Sequence, residues 1–512
     1  MSRVLVVVVL AFAVVGALAQ PSAAAGGEVI VVFEQQAREG EHVGDIDIAA
    51  MRVSPSGELV WGEASKAAEV ASAETLETNP HAIPDGAGGA IVVFEYEPRT
   101  GENAGDTEIA AQRVDASGKR MWEDGERSVL VAASKWAEKN PALVSDGQGG
   151  AIVVFEEHSR SGEFTGDVDI GAQRISASGA VLWCEDKRAA SVASNELLER
   201  NPAAISDGAG GAIVVFEAEA RTGEHACDTE IYAQRIDAQG NKVWNDGDKS
   251  VIVASSVWAE RNPVVIPDGQ GGAIVIFERY ARSGGYAGDV DIAAQRLSPS
   301  GELLWNGGES SVEIASTSDI ERAPHAIPDG LGGAIIVFET EPRTGEHAGD
   351  PEVAGQRIDG SGKAKWEGEQ GYALIANSEW AEKGPIAAAD GQGGAIVVFE
   401  RHARGGEYAG DIDIGAQRVS PTGKLLWEEG ESSVTVASSE MLERNFAVLP
   451  NGSGGVLVAF EMESRTGDYS GDADIGAQVI SSAGKALWNE GGRSTLVSSS
   501  KWSEKRPVVV GR

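Results

Sequence analysis

The chain is poor in the residues on which many small exported folds and most zinc sites depend. It holds two cysteines and seven histidines in 512 residues. Two cysteines, Cys184 and Cys227, are too few for a disulfide framework. In an oxidising compartment they could pair and tie neighbouring modules, or stand as two unrelated thiols. The histidines form no His-Glu-x-x-His and no His-x-His pattern. His42, His225 and His347 share one repeat position, but Asn103, Phe164, Tyr286, Tyr408 and Tyr469 fill it elsewhere, so nothing there depends on imidazole. Basic residues are scarce too: 42 Lys and Arg face 79 Asp and Glu, a formal charge of −37. That excludes a nucleic-acid binder, because neutralising phosphates needs clustered cations. No nucleophile elbow or phosphate-cradling loop occurs; the many Gly-Gly pairs belong to turns.

Long apolar runs are confined to the beginning. Arg3, the run Val4 to Val15 and the small residues Ala17-Leu18-Ala19 read as a secretory signal over 1–19, with a second cleavage point as late as Ala25. The run is too short to span a bilayer, so no integral membrane contact is expected and the remainder, 26–512, should be exported, extracellular or periplasmic. With 42% hydrophobic residues the chain can build a large core, and its 66 glycines mark it as rich in turns.

The dominant signal is periodic. Trp61, Trp122, Trp183, Trp244, Trp305, Trp366, Trp427 and Trp488 are 61 residues apart, as are eight Phe-Glu pairs from Phe33 to Phe460 and eight arginines from Arg38 to Arg465. No insertion interrupts the eight units. A longer period is superposed: Trp136, Trp258, Trp380 and Trp502 are 122 apart, with Thr75, Leu197, Asp319 and Met441 at that position in the intervening units. Odd units read Asp-x-Asp (Asp45/Asp47, Asp167/Asp169, Asp289/Asp291, Asp411/Asp413), whereas even units favour Asp-x-Glu and the eighth has Asp472/Asp474.

Residues 79–139 show one unit. An extended run to Pro84 ends in the turn Asp85 to Gly89. The apolar strand Ala90 to Phe94 follows, then a polar loop, a third strand from Glu108 to Val114, the turn Asp115 to Gly118 and an outer strand region to Ala133. Four short strands cannot bury both faces of a sheet alone, so units must pack on one another. The expectation is a single eight-bladed β-propeller, all-β, with four antiparallel strands per blade. The chain opens on a second strand (Val29 to Phe33) and closes on a first strand (Arg506 to Val510). Sharing one blade between them would latch the ring and remove exposed edges. A ring closed within one chain is expected to be a monomer.

The pattern Asn-Pro-x-x-x-Pro-Asp-Gly, an apolar strand, then Asp-x-Glu-Ile, as at 79–86, 90–94 and 106–109, resembles the propeller repeat of the periplasmic Tol-associated protein family and related secreted bacterial propellers. The resemblance implies the fold and leaves the activity open. Asp115 to Trp122 is also similar to the tryptophan-docking motif of eight-bladed quinoprotein dehydrogenases, but one residue shorter. The adjacent cysteine pair of those enzymes has no counterpart, since Cys184 and Cys227 are 43 residues apart.

The long loops and the connections carrying Trp136, Trp258, Trp380 and Trp502 should share one face of the ring, where function concentrates. The eight Trp at the 61-residue step read as packing. The four alternate Trp, each in a polar context and absent from every other unit, are candidate platforms for a glycan or a protein partner, or fill a gap that the other units fill differently. The acidic pairs Asp45/Asp47, Asp167/Asp169, Asp289/Asp291 and Asp411/Asp413 offer hard oxygens suited to Ca2+; equally, Glu34 with Arg38, or Glu95 with Arg99, could form ion pairs that pin each loop. The leading functional expectation is a secreted, non-enzymatic binding scaffold for an extracellular glycan or protein. The alternatives are a propeller enzyme of the glycan hydrolase or lyase type with a central-channel site, and a surface-layer or matrix protein. No catalytic residue is assigned.

Overall fold

A computed structural model describes residues 27–511 apart from 39–42, 74, 100–103, 160–164, 185–188, 222–227, 282–286, 346–347, 369, 406–408, 431, 466–469 and 492–493. The expected signal over 1–19 and Cys227 therefore lie outside the described residues. No helix among the described residues is long and apolar enough to cross a membrane.

Among the described residues, thirty-two strands form eight four-stranded blades, numbered here from the one that joins the chain ends. Blade 2 is typical: Thr75–Pro84, Ala90–Pro98, Glu108–Val114 and Val129–Ala132 run antiparallel from the axis outward. Blades 3 to 8 repeat this over 137–193, 197–254, 259–315, 320–376, 381–437 and 442–498. In blade 1 the innermost strand is Ser503–Val510, and it pairs antiparallel with Val29–Gln36, Val508 opposite Val32. The other two strands are Ile46–Val53 and Ala68–Ala71. Each innermost strand touches those of both neighbouring blades, Ser503–Val510 included, so the ring is closed. A single parallel bridge joins blade 1 to blade 2 (Ile46 to Leu76) and another joins blade 5 to blade 6 (Val290 to Ile320).

The first five residues of each second strand are apolar because both faces are covered there. Ile91, Val92, Val93 and Phe94 are all fully buried, and the core divides into one apolar cluster per blade boundary.

The two faces of the ring are built differently. One carries the short first-to-second turns and the Trp-bearing third-to-fourth connections; it is called here the turn face. There Trp122 is buried at 2% exposure and its indole N–H donates 3.1 Å to the Ala177 carbonyl of the next blade. All eight Trp of the 61-residue step make this bond, and Trp488 makes it across the chain ends to Pro55 at 2.9 Å. Beside the Trp183 bond, Arg174 pairs with Asp146 at 2.9 Å and donates to the same Ala238 carbonyl of the next blade at 3.0 Å. Gly179, at φ +87°, lies under the Trp122 ring, where a Cβ would come within 2.7 Å. Glycine is thus required twice over, by conformation and by space. The opposite, loop face carries the second-to-third loops and the links from each outer strand to the next innermost strand.

Candidate functional site

The inner edge of the loop face is set by a bulge. Asn79 interrupts the pairing of Thr75–Pro84 with φ 55°, a left-handed conformation that Asn tolerates better than most residues. Its freed N–H points into the preceding blade and donates to Glu34 Oε1 at 2.7 Å. Every blade repeats the bond: Asn140 donates to Glu95, Asn201 to Glu156, Asn262 to Glu217, Ala323 to Glu278, Gly384 to Glu339, Asn445 to Glu400 and Arg506 to Glu461. The glutamates of the Phe-Glu pairs are therefore stitches between blades. The local pairing of Glu34 with Arg38 does not occur. Arg38 reaches Asp472 of the preceding blade at 3.1 Å, and Arg99, Arg221, Arg343 and Arg465 likewise reach Asp45, Asp167, Asp289 and Asp411 at 3.6, 3.2, 3.4 and 3.2 Å. A partner one blade away, 54 residues earlier, wins over one four residues away because those loops lie side by side around the ring.

The first aspartate of each acidic pair thus stands beside a guanidinium. The second does not always. The bridge from Ile46 to Leu76 sets Asp47 beside Glu77 of the next blade. Glu77 belongs to a set that the sequence reading missed: Glu138, Glu199, Glu260, Glu321, Glu382, Glu443 and Glu504 occupy the same position in every blade, all at 0–1% exposure. Burial drives their carboxyls up, aided by the neighbouring acids: to about 8 for Glu77, Glu138 and Glu199, and to about 7 for Glu260, Glu321, Glu382, Glu443 and Glu504. Burial and the adjacent Asp45 push Asp47 to about 7, and burial lifts Asp169 to about 6. Most of these glutamates accept a hydroxyl on one oxygen, as Ser500 donates to Glu504 Oε1 at 2.6 Å. The second oxygen of Glu77, Glu138, Glu260, Glu443 and Glu504, and both oxygens of Glu199, are buried without a hydrogen-bond partner, as is Oδ1 of Asp47, Asp169, Asp291 and Asp413. Among the described residues, no three His, Cys, Asp or Glu side chains converge closely enough to hold a metal by themselves.

Trp136, Trp258, Trp380 and Trp502 lie on this face in blades 3, 5, 7 and 1, each just before its innermost strand and each half-buried. They are of two kinds. The guanidinium of Arg279 stands 5.4 Å from the Trp258 ring and that of Arg401 5.7 Å from Trp380. At the equivalent positions blade 3 has Glu157 and blade 1 has Gln35. Close to the tryptophans, the innermost strands carry Lys139, Arg261, Lys383 and Lys505. The second strands carry His158, Tyr280, His402 and Gln36, in register with Ala137, Ala259, Ala381 and Ser503, each the residue that follows its tryptophan. His158 Nε2 is 2.6 Å from Glu156 and His402 Nε2 is 2.8 Å from Glu400; Tyr280 donates to Glu278, with Arg261 over its ring at 5.6 Å. Blades 4, 6 and 8 close this space: Arg200 pairs with Glu219, Arg322 with Glu339 and Glu341, and Arg444 with Glu463, while blade 2 has Thr78 at the arginine's position. Cys184 is exposed, away from this cluster.

No family model and no curated protein matches the chain. Among solved structures it is similar to the β-propeller domain of the Trilobed protease from Pyrococcus furiosus, at 8% identity and TM-score 0.44, covering 83% of this chain and 96% of that one. Polysaccharide lyase Uly1 matches at 10% identity and TM-score 0.45, covering 77% and 88%, and a PL25 ulvan lyase at 13% and 0.44, covering 81% and 95%. A thermostable family-43 glycoside hydrolase matches at 10% and 0.30, covering 60% and 96%. The likeness is one of fold alone: the chain is a repeat-built β-propeller.

Proposed function

We propose that the protein is an exported carbohydrate-binding propeller with one glycan subsite in each odd blade of the loop face. The observation that carries this reading is the grouping of a half-buried Trp with a Lys or Arg and a His, Tyr or Gln in blades 1, 3, 5 and 7, where blades 4, 6 and 8 put a closed ion pair. An indole face stacks on the apolar side of a sugar ring, while the flanking cation and hydrogen-bonding group address its hydroxyls or a carboxylate. Four subsites on one rigid ring would act by avidity on a repeating polymer, so weak individual contacts suffice. The test replaces Trp136, Trp258, Trp380 and Trp502 together by Ala and measures retention on neutral and uronate-bearing polysaccharides. Loss of retention with an unchanged melting temperature supports the reading; unchanged retention removes it.

A second reading, cleavage of the bound polymer, is favoured by the titratable groups that break the repeat. His158, Tyr280 and His402 share one position and each bonds a buried or half-buried carboxylate, the pairing a general base or acid needs. Solved propellers of similar fold include polysaccharide lyases and glycoside hydrolases. Release of new chain ends by the wild type but not by Tyr280→Phe, with binding retained, would favour cleavage. No release from any retained polymer would leave binding alone.

A further inference from the structure

The boundaries between blades supply their own control for a cation site. In blade 5 the second aspartate, Asp291, is met by Arg279 at 3.2 Å, and in blade 7 Asp413 is met by Arg401 at 3.5 Å. A positive group thus occupies the space beside the second aspartate in both. In blade 3 the residue at that position is Glu157, which lies across from Asp169 in the strand register and adds a negative charge where the other two blades add a positive one.

The consequence is a poorer supply of cations at one boundary. At the boundary of blades 5 and 6, Asp289, Asp291, Glu321 and the exposed Glu313 face two guanidinium groups, Arg343 and Arg279, and Arg279 stands 3.2 Å from both Asp291 and Glu313. At the boundary of blades 3 and 4, Asp167, Asp169, Glu157 and Glu199 face Arg221. The same number of acids thus meets one guanidinium fewer. The oxygens are open as well. Asp169 Oδ1 and both oxygens of Glu199 are buried without a hydrogen-bond partner, with Glu199 at 0% and Asp169 at 6% exposure. Unpaired carboxylate oxygens at such depth are costly unless a proton or a cation meets them.

We propose that a divalent cation, Ca2+ in an exported protein, seats between blades 3 and 4 against Asp169 and Glu199, with Glu157 completing the acidic wall. Ca2+ accepts six to eight oxygens in flexible geometry, so two or three carboxylates with loop carbonyls and water satisfy it without three side chains meeting at one point. The site does not depend on the glycan reading, since Trp136 takes no part in it.

The test uses the full exported chain, stripped with chelator and dialysed, then titrated with CaCl2 alone at pH 7.5. Bound calcium is counted by elemental analysis and the melting temperature followed. Binding with a rise of several degrees is expected. Two variants locate the ion. Glu199→Gln should reduce the bound calcium by one per chain. Glu157→Arg copies blades 5 and 7, and should also lose one calcium while melting, without calcium, at or above the wild-type temperature. No calcium bound at millimolar concentration, or a folded Glu157→Arg chain that retains every ion of the wild type, overturns the proposal. The first of those outcomes would assign the open oxygens to shared protons.

Discussion

The two faces of the ring obey the repeat to different degrees. On the turn face all eight Trp, from Trp61 to Trp488, make the same bond to the next blade, and six Arg–Asp pairs from Arg113–Asp85 to Arg418–Asp390 repeat at 2.8–2.9 Å. On the loop face the bulge and its glutamate repeat eight times, but the groups beside them alternate or differ blade by blade: Trp258 against Leu197, Arg279 against Glu157, Tyr280 against His158. A ring needs identical joints, so a residue that must recur is a joint. Residues that are free to differ on the same scaffold are where the proposed glycan subsites lie.

Four experiments sharpen or break that contrast. The largest effect should come from pH. Eleven acids on the loop face (the eight glutamates from Glu77 to Glu504, with Asp47, Glu157 and Asp169) hold protons in the folded chain at pH values where the unfolded chain has lost them. Each pH unit of such displacement is worth about 1.4 kcal/mol per group. Their contribution is complete at acid pH and is lost as pH rises from about 4.5 to about 8. Buried His81 and His325, held down to about 4, act in the opposite sense below pH 6.5, but they are two groups against eleven. The melting temperature in chelator should therefore peak near pH 5 and fall by pH 8; a flat or rising profile breaks the account of the loop face.

Second, Trp244→Ala removes a joint buried at 2% exposure and should cost about 3–5 kcal/mol, read by denaturant unfolding. Third, Asn201→Pro removes the N–H that reaches Glu156 at 2.7 Å and forces φ negative where it is +51°. A loss of about 3 kcal/mol or more is expected, whereas Asn201→Gly should be near neutral. The smallest change belongs to Trp258→Ala, half-buried on the loop face. It should shift stability by about 1 kcal/mol or less while weakening polysaccharide retention. If Trp258→Ala destabilised as much as Trp244→Ala, the two faces would not differ in the way described.

The fold was readable because the period is strict and the terminal strands are complementary. The structural role of Trp61 to Trp488 followed from their number. What the sequence concealed is which residues meet. Glu34 and Arg38 are four apart and of opposite charge, yet each finds its partner in another blade, Glu34 in Asn79 and Arg38 in Asp472. In a ring of stacked sheets the nearest surface belongs to the adjacent blade, so the informative offsets are 45, 54 and 55 residues rather than 4. The eight glutamates of the Glu77 set kept the 61-residue step in plain view. Their meaning emerged only when the bridge of Ile46 to Leu76 set them beside the aspartates of the preceding blade.

Blade 1, where Ser503–Val510 pairs with Val29–Gln36, has the same strand pairing as the seven others and is held to blade 8 by the same indole bond and the same glutamate stitch. Nothing in the geometry marks it as the place where the polypeptide must begin and finish. A gene rearranged to start at Ala137 and to run from Val510 through a short linker into Val29 should give the same circle, and its melting behaviour would show whether covalent continuity at that seam adds anything to what the seam's own contacts provide.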